Sequence, residues 1–126
     1  MRPDGRSEAA PNTSQVITKA TIRAAERLGI KNNVLARIVG LSEPTVSRMR
    51  KGEYALEPGQ KPFELATLFI RFYRSLDAIV GGDDSVAAAW LKNENKAFDA
   101  TPIELIQTVA GLSNVIAYID SRRAVI

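Results

Sequence analysis

The sequence predicts an all-α protein: a small helical bundle joined by one long helix to a second, smaller helical part. Three observations carry that expectation. Apolar residues recur at helical spacing along most of the chain. No segment reads as a convincing strand, and no internal repeat is present. Serine, threonine, aspartate, proline and glycine stand where helices start and stop. With 126 residues and 45% hydrophobic content, the chain fits one domain, or two small ones sharing a core.

Residues 1–13, MRPDGRSEAAPNT, have no periodicity and are expected to form a flexible arm. Thr13 or Ser14 offers a cap for the first helix, which places Ile17, Ala20, Thr21, Ala24 and Leu28 on one face. Gly29 ends that helix. Asn32 or Asn33 opens a shorter one carrying Leu35, Ile38 and Val39; Gly40 stops it, and Ser42 starts the next. Residues 53–60 contain Pro58-Gly59 and read as a loop.

A long helix is expected over residues 61–80. Leu65, Leu68, Phe69, Phe72, Leu76 and Ile79 line one face, while Phe63, Ile70 and Tyr73 lie elsewhere. A helix apolar on several sides is buried on more than one, so this one is expected to join the halves of the core and to offer a dimer surface. Gly81-Gly82 reads as a hinge, and Asp83 or Asp84 caps a helix holding Trp90 and Leu91. Thr101-Pro102-Ile103-Glu104 has the spacing of a capping box, with Leu105, Ile106 and Val109 as the apolar face behind it. Gly111 is expected to end that helix and Ser113 to cap the last one. Arg122 and Arg123 then fall at a helix C-terminus, where cations are favoured.

Composition narrows the function. The chain has no cysteine and no histidine. Thiolate chemistry, disulfides and the commonest metal ligand and general base are therefore missing. No glycine-rich phosphate loop and no paired carboxylates in a plausible pocket replace them. No catalytic residue, metal site, cofactor or small-molecule substrate is expected. The N-terminus lacks the apolar core of a signal peptide, and no stretch approaches the ~20 apolar residues that span a bilayer. A soluble, cytoplasmic protein is expected. The net charge of +3 is unevenly placed: residues 1–80 carry +5 and residues 81–126 carry −2. That asymmetry implies different partners for the two halves.

The most informative stretch is LARIVGLSEPTVSRMRKG, residues 35–52. Two helices meeting at a tight turn need a small residue where their backbones approach, here Ala36. They need a residue tolerant of positive φ at the turn, here Gly40. They need an apolar residue on the second helix facing the first, here Val46. At about 100° per residue, Val46 and Met49 point to the core, whereas Pro44, Ser47, Arg48 and Lys51 point away. A stripe that starts small and hydroxylic and ends basic suits a recognition helix, whose first residues enter the major groove while later cations meet phosphate. Candidate DNA contacts are Ser42, Pro44, Thr45, Ser47, Arg48, Arg50 and Lys51, with Arg48 able to reach guanine as a bidentate donor. Residues 17–52 hold eight Lys/Arg against two Asp/Glu. The competing reading is a plain helical hairpin with a solvated basic face.

This segment resembles the Xre-type helix-turn-helix. The signature L-A-x-x-x-G-x-S-x-x-x-V-S-R-x-x-x-G stands here as Leu35-Ala36, Gly40, Ser42, Val46-Ser47-Arg48 and Gly52. The second half, WLKNENKAFDATPIELIQTVAGLSNVIAYIDSRR, resembles the C-terminal toxin-binding domain of Xre/MbcA/ParS antitoxins. It has the Trp90-Leu91 pair, Asn95, the Thr101-Pro102-Ile103-Glu104-Leu105-Ile106 segment, Gly111, and a last helix with Val115 and Tyr118. The order of the two modules over residues 15–126 carries the resemblance more than any one motif. With the element boundaries above, the chain is expected to divide into an arm (1–13), a helix-turn-helix domain (14–60), a connecting and dimerising helix (61–80) and a toxin-binding domain (81–126).

The resemblance implies an antitoxin that blocks a RES-domain toxin, an NAD-consuming protein resembling ADP-ribosyltransferases, and represses the shared operon by binding operator DNA; because one helix-turn-helix covers one half-site, a homodimer is expected. The resemblance also puts the toxin-binding surface in the second half, where the apolar Ala124-Val125-Ile126 tip and the two arginines before it make Tyr118, Arg122, Arg123, Val125 and Ile126 the candidate contact. Many family members carry a glycine-containing extension after the last helix, where this sequence has Ala124-Val125-Ile126. The bland roles stay open beside these. Trp90, Leu91, Phe98 and Leu105 also read as core, Thr101 and Glu104 as a cap, and Arg122 and Arg123 as a solvated helix end. A stand-alone repressor of phage type, whose second half only dimerises, is the alternative.

Overall fold

Asn12 opens the first helix of the computed structural model, which describes residues 12–124; most of the expected arm, and Val125 and Ile126, lie outside them. Seven helices follow among the described residues: α1 Thr13–Leu28, α2 Asn32–Val39, α3 Glu43–Arg50, α4 Lys61–Ile79, α5 Asp84–Lys92, α6 Pro102–Leu105 and α7 Val109–Ala124. No strand occurs among them; one isolated bridge pairs Asn95 with Ala100. The protein is all-α, as the periodicity predicts.

The cap of α1 is Asn12, not Thr13 or Ser14. Its side-chain oxygen accepts the amides of Ser14 and Gln15 at 2.8 and 3.4 Å. Ser14 is occupied elsewhere, donating its hydroxyl to the Leu56 carbonyl. Thr18 and Thr21 are buried because each hydroxyl finds a carbonyl one turn back, at 2.6 and 2.7 Å. The Thr18 hydroxyl also accepts the Leu56 amide at 2.8 Å. The loop before α4 is thus pinned to α1, and Leu56 is fully buried. Ile17 and Ala20, expected in the core face, are only half-buried.

Gly29 and Gly40 end α1 and α2 in the left-handed region, at φ 68° and 75°. A left-handed residue here lets the chain reverse while its amide closes the helix, Gly40 N–H on Ala36 O at 2.8 Å. Ser42 caps α3 by accepting the Thr45 amide at 3.2 Å, and Val46 and Met49 face the core. The predicted hairpin of α2 and α3 forms in the predicted register.

Helix α4 is the central element. It packs against α7 on one side and against α1 and α2 on another. Its fully buried strip is Ala66, Phe69, Phe72, Ser75 and Leu76, with the rings of Phe69 and Phe72 6.2 Å apart. Leu65 and Leu68 are half-buried and Ile79 is exposed, so the apolar face expected from spacing is turned slightly. The buried residues of α1, α2, α3, α4, α5 and α7 form one cluster. Polar bridges reinforce it. Arg27 donates to Tyr73 at 3.3 Å, Arg37 to Gln107 at 3.3 Å, and Asp120 accepts from Arg71 at 2.8 Å and Ser75 at 3.1 Å.

Asp83 caps α5, accepting the amides of Ser85 and Val86. Its carboxyl is held below the usual range, first by the Ser85 hydroxyl and then by the Val86 amide. The region after α5 departs most from the sequence reading. The capping box does not form: the Thr101 hydroxyl is buried without a partner, and α6 is a single turn. Gly111 ends nothing, and Ser113 caps nothing. Both lie within α7, which starts at Val109. The capping role falls to Thr108, whose hydroxyl accepts the Gly111 amide at 3.0 Å. Val109, expected on an apolar face, is 56% exposed. Gly111 stands where α7 crosses the end of α6. A Cβ there would collide with the Leu105 carbonyl group.

Candidate functional site

The outward side of α3 is built from its cap onward. Ser42 is exposed, and its hydroxyl lies 2.8 Å from that of Thr45. Pro44 and Arg48 are exposed, Thr45 and Ser47 half-exposed, and Lys51 is exposed just past the helix. Arg48 donates to the Thr45 hydroxyl at 3.3 Å, which lays its guanidinium along the helix surface rather than into the protein. Six of the seven candidate DNA contacts therefore share one accessible surface.

Arg50 is the exception. Its guanidinium turns back to Asn32 Oδ1, to the Ile30 carbonyl at 3.1 Å and to Glu26 at 3.6 Å. It clamps α3 to the turn between α1 and α2, and that partnership takes it out of the outward set. Asn32, read as a helix opener, serves this clamp, and α2 begins from Lys31 without a side-chain cap. Two cations outside the α3 stripe lie beside Lys51. Lys19 and Arg23 of α1 line a groove with Lys51, Gly52 and Tyr54. Their only signal in sequence was the local excess of Lys and Arg.

The second surface lies on α7. Tyr118 is half-buried, and its ring meets that of Phe98 edge-on, 5.0 Å between centroids and 69° between planes. The Arg122 guanidinium stands 5.9 Å from the centre of the Tyr118 ring. Arg123 points elsewhere. It lines an open groove of about 760 Å³ with Val16 and Ile17 of α1 and Ile70, Arg71 and Arg74 of α4. The two arginines thus serve different faces, as two residues one step apart on a helix must. Among the described residues no group of acidic side chains is placed to hold a metal ion. None of their helices is long and apolar enough to cross a membrane.

Two family models cover most of the chain. Residues 9–71 match the antitoxin Xre-like helix-turn-helix domain, and residues 75–124 match the antitoxin Xre/MbcA/ParS C-terminal toxin-binding domain. The chain belongs to the Xre/MbcA/ParS antitoxins. The two matches meet inside α4, the helix that supplies the centre of the core. Among solved structures, the antitoxin is similar to a chain of the crystal structure of the M. tuberculosis MbcT-MbcA toxin-antitoxin complex, with a TM-score of 0.63. Identity is 21%, over 84% of this chain and 92% of that one, which is a likeness of fold. No curated protein sequence gives a significant match.

Proposed function

We propose that the antitoxin works in the cytoplasm on two partners through two separate surfaces. It blocks a RES-domain toxin, an NAD-consuming enzyme resembling ADP-ribosyltransferases, and it represses the shared operon by binding operator DNA. The observation that carries this reading is the separation itself. Ser42, Pro44, Thr45, Ser47, Arg48 and Lys51 face outward on and around α3, and Tyr118 and Arg122 face outward on α7. The solved complex of similar fold pairs a toxin with an antitoxin.

On the DNA side, Arg48 is the base-reading residue and Lys51 a phosphate contact. Arg48→Ala should weaken specific operator binding by about 1–3 kcal/mol in a gel-shift titration on the upstream promoter. Unchanged affinity would remove Arg48 from the interface. A single helix-turn-helix reads one half-site, so the repressor acts as a homodimer. Val16, 49% exposed on α1, and the half-buried Ile70 on α4 are apolar positions open to pairing. Light scattering should give twice the 13.7 kDa chain mass at micromolar concentration, and a 13.7 kDa particle contradicts the dimer.

On the toxin side, Tyr118 and Arg122 on one face of α7, with Arg123 on another and Val125 and Ile126 beyond them, make the blocking contact. The test is co-expression of the adjacent reading frame with the full chain or with one lacking residues 122–126. The full chain should restore growth and the shortened one should not, while both still shift operator DNA. Equal rescue moves neutralisation to the surface spanning residues 90–104. If the adjacent reading frame is harmless when expressed alone, the stand-alone repressor is the better reading.

A further inference from the structure

We infer that Phe98 is a positioning residue for toxin binding: through the Tyr118 ring, it holds the Arg122 guanidinium in place to meet a toxin carboxylate. The inference rests on the toxin-binding reading above and adds the loop of residues 95–100 to that surface.

The loop is closed on itself. Asn95 donates its amide to the Ala100 carbonyl at 3.0 Å, and its own carbonyl accepts the amides of Phe98 and Asp99 at 3.0 and 2.9 Å. Its side chain accepts the Ala97 amide at 2.9 Å. Asp99 completes the reversal at φ 54°, in the left-handed region that side chains other than glycine rarely adopt. A backbone held this closely aims the side chain before Asp99 in one direction. Phe98 accordingly leaves the loop and packs on the core edge beside Tyr118. Its ring meets the Tyr118 ring at 69°, the edge-to-face arrangement that the ring quadrupoles favour.

Tyr118 is one helical turn before Arg122, so its ring lies under the arginine side chain. Held by Phe98, that ring cannot swing freely. Its face is then available to the guanidinium, 5.9 Å from the ring centre. A guanidinium attracted to a ring face keeps its N–H donors free for another partner. A planar fork presented edge-on fits a carboxylate bidentately. Among the described residues, no carboxylate lies within ion-pair distance of Arg122. Phe98 has a half-buried position, so a role in packing alone is the alternative that the experiment must separate.

The experiment is a double-mutant cycle on the full-length chain, with affinity for the purified toxin read by titration calorimetry and operator binding as the folding control. Phe98→Ala should weaken toxin binding by about three- to tenfold, the scale of one aromatic pair. Arg122→Ala should weaken it at least as much. The double variant should be no weaker than Arg122→Ala, because Phe98 acts through Arg122. Phe98→Tyr, which keeps the ring edge, should restore affinity, whereas Phe98→Leu, which keeps only bulk, should not. Additive losses, or full affinity for Phe98→Leu, overturn the inference. If Arg122→Ala binds toxin like the unaltered chain, the assignment of Arg122 itself has failed, and the inference falls with it. If Arg122→Ala fails to bind and Phe98→Ala binds normally, the toxin-binding reading stands and the inference alone is overturned.

Discussion

Phe72→Ala is expected to destabilise the antitoxin by about 3–5 kcal/mol and to do so in a single transition. Phe72 is fully buried on α4 and stacks on Phe69. The cluster it belongs to runs from Ala24 and Leu35 in the helix-turn-helix part to Val115 and Ile119 in α7. Removing the ring leaves a cavity bordered by elements that do not close easily, because α4 is held from both sides. The chain has one tryptophan, Trp90, in the second half. Urea unfolding followed by Trp90 fluorescence and by far-UV circular dichroism should therefore coincide in the variant as in the unaltered protein, at a lower midpoint. A fluorescence transition that separates from the helical one would mean that the halves fold as separate units.

Gly111→Ala is the second large effect, expected at about 3 kcal/mol. Most glycine positions of this chain are turns whose φ is positive, and their replacement strains only the backbone locally. Gly111 differs because it lies inside α7, where alanine should be favourable by propensity. Its new methyl group would meet the Leu105 backbone carbonyl, whose carbon is 2.8 Å away, and the Thr108 side-chain hydroxyl at 2.9 Å. The carbonyl cannot swing aside as a side chain can, since it also accepts the Thr108 amide at 3.4 Å. The chain must open between α6 and α7. Thermal unfolding would detect this as a lowered midpoint. A variant as stable as the parent, or more so, would show that the crossing is looser than described.

These two positions mark what sequence alone could reach. The α2–α3 hairpin was fully legible because its determinants are local. Gly40 turns the chain, Ser42 caps within three residues, and Val46 and Met49 follow from spacing. The long α4 helix and its place between the halves were legible from its excess of apolar residues, although its buried strip is turned towards Ala66 and Ser75. What sequence misplaced depends on residues distant in the chain. Ser14 looked like a cap until Leu56 claimed its hydroxyl. Arg50 looked like one more outward cation, but its partners lie 18 and 20 residues earlier. The helix start at Thr101-Pro102 was legible, but the box's side-chain bond and the role of Gly111 were misread, because such sequences signal helix ends by frequency. Here the glycine admits a crossing backbone, and the threonine hydroxyl goes unpartnered. Phe98 read as core, and its contact with Tyr118 emerges only from the fold of the loop before α6.

The most direct test of two surfaces on one core is growth rescue by Arg48→Ala. Arg48 is exposed on α3, and its side chain bonds only to Thr45 among the described residues, so its loss should leave the fold and α7 intact. Cells co-expressing the toxin from the adjacent reading frame and the Arg48→Ala chain, each from its own inducible promoter, should grow as well as cells with the unaltered chain, although the variant binds operator DNA more weakly. Rescue that falls in parallel with operator affinity, at equal protein levels, would contradict the separation of the two functions.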